Sequence, residues 1–197
     1  MNTDNVQAWI VAAVILLAVV AAVWLIMRQA RHRQSVRLQE RFGPEYARVI
    51  SERGDRTKAE AELLAREKRV QRLKLVSLTA EDAAKFSQAW EVLQTRFVDN
   101  PRGVVVEADR LVRDLMVKRG YPMADFERRA ADISVDYPTV VEAYRGARAI
   151  AERDQQGQAS TEELRKAVVY YRTLFDELLE VRHPRQASPN PTEAVHT

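Results

Sequence analysis

Three histidines, no cysteine and no glycine-rich phosphate loop bound the chemistry open to this 197-residue chain. His32 follows an apolar run, and His183 and His196 lie close to the C-terminus. The long stretch between His32 and His183 therefore holds no Ser-His-Asp relay, histidine general base, His-ligated zinc or Glu-x-x-His di-iron pair. The absence of cysteine removes disulfides, thiolate nucleophiles and cysteine-bound zinc. Neither GxxxxGK[ST] nor GxGxxG occurs, so nucleotide cradles of known type are missing. Carboxylates remain. Asp109 with Asp114, and Asp132 with Asp136, are spaced for acid–base work if burial raised one member of a pair. Each lies among arginines, including Arg110, Arg113, Arg128 and Arg129, and that pattern predicts ion pairs. The reading is of a protein that is not an enzyme, with no catalytic, cofactor-binding or metal residues.

The elements that could position any other activity begin with charge. The sequence pI is about 9.3, which invites a nucleic-acid partner, but the excess is local. Residues 1–27 carry −1 from Asp4, residues 28–37 carry +4, and the whole chain is +3, leaving 3 + 1 − 4 = 0 for residues 38–197. A neutral body argues against nucleic acid. The basic cluster, Arg28, Arg31, Arg33 and Arg37, instead adjoins the apolar run, so these four are expected to contact a membrane surface and its anionic lipid headgroups.

That run, Ala8–Met27, reads AWIVAAVILLAVVAAVWLIM, twenty residues without charge or amide. At about 1.5 Å per residue it spans the roughly 30 Å hydrocarbon core of a bilayer. Trp9 and Trp24 sit near its ends, where indoles prefer the headgroup level. The preceding residues 1–7 lack the basic flank of a cleaved signal peptide, so an uncleaved, single-pass signal-anchor is expected. Arginines on the C-terminal flank predict a cytoplasmic soluble region at the cell membrane.

Residues 28–78 read as basic juxtamembrane and charged stalk helices: a continuation to Gly43-Pro44, a short helix from Pro44, and a long one from Arg56 to about Leu75. Residues 79–181 carry clearer amphipathic stripes. Thr79-Ala-Glu-Asp82 and Ser160-Thr-Glu-Glu163 resemble capping boxes, and Asn100-Pro101 reads as cap and first helical residue. Phe86, Trp90, Leu93 and Phe97 form one stripe; Leu164, Val168, Tyr171, Phe175 and Leu178 form the strongest. Gly120 reads as a left-handed helix end, and Pro138 as the opening of a further helix. The expected fold is all-α, with the N-terminal transmembrane helix, the stalk, and an antiparallel bundle of about four helices over residues 79–181. The proline-broken residues 182–197 are expected to be disordered.

Five blocks, RFGPEY (Arg41–Tyr46), RFVDNP (Arg96–Pro101), KRGYP (Lys118–Pro122), SVDYP (Ser134–Pro138) and YYRTLFDELLE (Tyr170–Glu180), together resemble an uncharacterised bacterial family of single-pass membrane-anchored helical proteins. The resemblance spans about residues 35–181 and implies no activity or cofactor. The functional expectation is a non-enzymatic, membrane-tethered interaction or scaffold module that binds another protein. The alternative is an envelope-associated binder of a small apolar or lipid ligand inside the bundle, lined by Trp90, Phe97, Tyr144 and Phe175.

Overall fold

The computed structural model describes residues 3–179, with side chains described from Leu16 onward except Ala18. The tail expected to be disordered, the side chains of residues 8–15 and Trp9 all fall outside that description. Among the described residues there are eight α-helices and no strand, so the fold is all-α. The chain divides into two compact units, residues 1–63 and 64–197.

The first unit is built on α1 (Thr3–Phe42), a single forty-residue helix. As the sequence predicts, it passes from the apolar run through the arginines and stops at Gly43, ahead of Pro44. Its apolar stretch is bare: Leu16, Leu17, Val19, Val20, Val23, Trp24, Leu25, Ile26 and Met27 are each at least 47% exposed. Among the described residues, however, no helix is long and apolar enough to cross a membrane. The expected span Ala8–Met27 is thus unsupported by the described residues, which include its side chains only from Leu16 onward, Ala18 excepted. Further along α1, Leu38 and Phe42 are buried, as are Tyr46 and Val49 of α2 (Pro44–Arg53). Asp55 then opens α3 (Arg56–Gln71), its carboxylate accepting from the Lys58 backbone N–H at 2.8 Å. Tyr46 Oη donates to Glu60 at 2.7 Å and ties α2 to the start of α3.

The second unit opens with the last two turns of α3, where Arg66, Glu67 and Val70 are buried. This half of the expected stalk belongs with the bundle. α3 ends at Gln71, four residues before the expected Leu75, because the following segment is held elsewhere: Val76 N–H donates to Arg119 O at 3.0 Å. Five helices then follow where about four were expected: α4 (Ala80–Thr95), α5 (Pro101–Lys118), the short α6 (Phe126–Asp136), α7 (Val141–Gln155) and α8 (Thr161–Leu179). The caps form as their sequences predict. Thr79 accepts from Asp82 N–H at 3.1 Å, Asn100 from Gly103 N–H at 3.0 Å, and Ser160 exchanges bonds with Glu163 in both directions. Pro138 does not open α7; residues 138–140 make a turn, with Val140 N–H donating to Tyr137 O at 3.2 Å, and the helix starts at Val141.

α8 is central. It packs against α7 on one side and α5 on the other, α4 lies along α5 and α8, and α6 rests on α7. The core at these contacts includes Leu93, Val112, Leu115, Ile133, Ala147, Leu164 and Leu178, all nearly or fully buried. The leucine, isoleucine and valine side chains among these contribute about 1.5–3 kcal/mol each on full burial, before the entropy of ordering them is counted.

Candidate functional site

The four aromatic residues read as a possible ligand lining are employed by the core. Trp90 and Phe175 stack with ring centroids 4.6 Å apart, and the Arg172 guanidinium lies over the Trp90 ring at 5.6 Å. Tyr144 meets Phe126 at 4.9 Å and Tyr171 edge-on at 6.2 Å. Trp90, Tyr144 and Phe175 are at most 1% exposed, and Phe97 packs partly buried against the same core. Trp90 and Phe175 do border a surface cleft of about 220 Å³, but Phe97 and Tyr144 have no share in it. Burial raises the Tyr144 phenol above its ordinary value even though Arg129 donates to its oxygen at 3.2 Å.

The carboxylate pairs do not meet as pairs. Asp109 faces Arg113 at 3.1 Å and Asp114 faces Arg110 at 3.9 Å, each four residues along α5, as the arginine-rich context predicts. Asp132 differs from a surface acid. It is 1% exposed and receives both Nε and Nη2 of Arg69 on one oxygen, at 2.7 and 2.6 Å. Beside it, Arg66 donates to Ser134 Oγ at 3.5 Å. Asp136 accepts from Tyr121 Oη at 2.7 Å, while Arg119 donates to Tyr137 Oη at 3.2 Å. The KRGYP and SVDYP blocks are therefore bonded to one another, arginine to tyrosine and tyrosine to aspartate. Burial, with Asp136 alongside, pushes the Tyr121 phenol far up, so it stays protonated as a donor. This network is a clasp closing the ends of α5 and α6. Among the described residues, no group of three or more histidine or carboxylate side chains is placed to hold a metal ion.

A groove lies between α4 and α5. Asp82 pairs with Lys118 at 3.0 Å at one end, and Arg96 pairs with Glu107 at the other. These cross-links show the helices to be antiparallel, and between them lies a recess of about 620 Å³. Ala89, Val92, Leu93 and Leu111 supply its apolar surface, with Val92 52% exposed; Lys85, Arg110 and Asp114 stand on the rim. Lys118 and the Thr79 hydroxyl hold the Asp82 carboxyl below its ordinary value, keeping that end charged near neutrality.

The four arginines expected to contact a membrane surface separate by face. Trp24, Met27, Arg28 and Arg31 stand at i, i+3, i+4 and i+7 on α1 and together line a notch of about 280 Å³. Arg33 and Arg37 fall roughly 140° and 180° around the helix from Arg28, at about 100° per residue. The Arg28 guanidinium sits over the Trp24 ring, 5.3 Å from its centroid.

Neither a family model, nor a curated protein, nor a solved structure matches the chain. What it does must be argued from its own surfaces. Of these, the arginine cluster was visible in sequence as charge beside an apolar run. The groove was not, because Leu93 belongs to the stripe that sequence assigns to the core, and Val92 stands outside that stripe as a single exposed residue. The burial of Asp132 was equally hidden, since its partner Arg69 lies far away in sequence on α3.

Proposed function

We propose that this chain is a non-enzymatic, membrane-tethered helical module that binds another protein at the cytoplasmic face of the cell membrane. The observation that carries the tether is the bare apolar stretch of α1. From Leu16 to Met27 the large side chains on every face are about half exposed or more among the described residues. A helix apolar all round is stable when buried in protein or in lipid, and water satisfies neither condition. Arg28, Arg31, Arg33 and Arg37 follow at once, where cations meet anionic headgroups and set orientation. The resemblance to a bacterial membrane-anchored family belongs to the same proposal; the bonding of KRGYP to SVDYP supports treating those blocks as one unit.

The partner surface is the α4–α5 groove, and its occupant is an amphipathic helix of another protein. Two antiparallel helices with an apolar-floored recess between them present a shape into which a third helix packs. The rim carries both signs, Lys85 and Arg110 against Asp114, so the complement is a helix whose apolar stripe is flanked by acidic and basic residues.

Two experiments test the halves separately. The intact protein is expected to resist alkaline carbonate extraction, with a C-terminal reporter active only in the cytoplasm; release into the wash would overturn the tether. A photo-crosslinking residue at Val92 is expected to label a segment with apolar residues at helical spacing, and Lys85→Glu/Arg110→Glu is expected to reduce that labelling. Labelling of a non-helical segment, or of a second copy of this chain, would overturn the assignment of the groove.

A further inference from the structure

We propose that Trp24, Met27, Arg28 and Arg31 form a binding notch for the phosphate of an anionic lipid headgroup, and that Arg33 and Arg37 take no part in it. The proposal rests on the membrane reading above and sharpens it to one face and one ligand chemistry. The notch, of about 280 Å³, is lined by these four residues. Its two guanidiniums are three residues apart, less than one turn of α1, so both can reach the oxygens of a single phosphate. Arg28 is already held over the Trp24 indole at 5.3 Å, which restricts its rotamers while leaving its edge donors able to fork onto phosphate.

The surroundings fix the depth. The apolar run ends at Met27, so Arg28 and Arg31 stand at the level where lipid phosphates lie, with Trp24 and Met27 below them to meet the glycerol and upper acyl region. The same face of α1 continues into Ser35, Leu38 and Phe42, all buried. Between Trp24 and Phe42 it thus changes from apolar to cationic to packed, and the cationic part is bounded on both sides. Arg33 and Arg37 lie on the far side of the helix, outside the recess that Arg28 and Arg31 line.

The test uses full-length protein in detergent micelles and native mass spectrometry. Phosphatidylglycerol, phosphatidylcholine and inorganic phosphate are titrated against wild type, Arg28→Gln/Arg31→Gln and Arg33→Gln/Arg37→Gln. Wild type is expected to retain one phosphatidylglycerol in preference to phosphatidylcholine. The Arg28/Arg31 pair is expected to weaken this by roughly tenfold, and the Arg33/Arg37 pair by less than about twofold. Equal losses in the two pairs, or none in either, would overturn the notch. Displacement of the lipid by millimolar inorganic phosphate would assign the site to free phosphate and overturn the lipid. Carbonate extraction of the same proteins keeps the readings apart: wild type washed from membranes defeats the tether, whereas retained protein with indistinguishable arginine pairs defeats only the notch.

Discussion

Gly120 offers the sharpest check on how the second unit is assembled. It closes α5 with Gly120 N–H donating to Val117 O at 2.9 Å and Tyr121 N–H to Met116 O at 3.0 Å, the paired bonds of a Schellman ending. Its φ is +93°, and a Cβ added there would lie 2.5 Å from the carbonyl oxygen of Lys74. Gly120→Ala therefore carries two costs. The backbone conformation costs an L-residue about 1–2 kcal/mol. Relief of the overlap requires the Lys74–Val76 backbone to withdraw, which sacrifices the Val76 N–H bond to Arg119 O, worth about 0.5–1.5 kcal/mol, and some packing besides. The sum is roughly 2–4 kcal/mol, or a fall in Tm of about 8–16 °C at near 4 °C per kcal/mol for a unit of this size. Gly157→Ala is the control. Gly157 also has positive φ, +72°, but nothing lies within 4 Å of the added carbon, so only the conformational cost applies and the fall is about 4–8 °C. Thermal unfolding followed by circular dichroism on the full-length protein measures both. If the two variants melted within about 2 °C of each other, the close approach of Lys74 would count for nothing and the account of how that segment is held would be wrong.

Arg69→Met should cost about 3–5 kcal/mol in urea unfolding, since it strands the buried Asp132 carboxylate, and Arg69→Met/Asp132→Leu should recover most of the loss. A double variant no more stable than the single would contradict that reasoning. Trp90→Ala should cost about 3–5 kcal/mol by removing the ring stacked on Phe175, whereas Val92→Thr on the groove surface should stay within about 0.5 kcal/mol; similar losses would deny the distinction between core and groove. The Glu163 carboxyl is drawn from 4.5 to about 2 by the Ser160 backbone N–H, then by Arg153 and the Ser160 hydroxyl. Its contribution is complete above 4.5 and lost as pH falls toward 2, so the Tm gap between wild type and Glu163→Gln should narrow across that interval. A gap that stays constant would place the stabilisation elsewhere.

Three helix starts of the second unit were legible because they depend on chemistry three residues away. Thr79, Asn100 and Ser160 each accept a backbone N–H from the residue three positions on, and such a bond can be read from a short window of sequence. Limits set by distant chain were not legible. α3 stops early because residue 76 bonds to residue 119, and α7 starts late because the chain after Tyr137 first makes a turn. The candidate surfaces follow the same division. Charge beside an apolar run marks Arg28–Arg37 at once, and the expected continuation of that helix to Gly43 already sets their phase; the Arg28 guanidinium over the Trp24 ring was not legible. The α4–α5 groove depends on two ion pairs between helices, Asp82–Lys118 and Arg96–Glu107, whose partners are far apart in sequence.

Since α1 passes from Thr3 to Phe42 without a bend-forming residue, its two ends turn together like a spindle. About 60 Å of continuous helix leaves no slack between the greasy stretch and the buried Leu38 and Phe42. Any roll of the N-terminal half is delivered to those residues at the same angle. Two residues spliced in between Met27 and Ser35 would rotate one end against the other by about 200°, whereas seven, nearly two full turns, would restore their alignment.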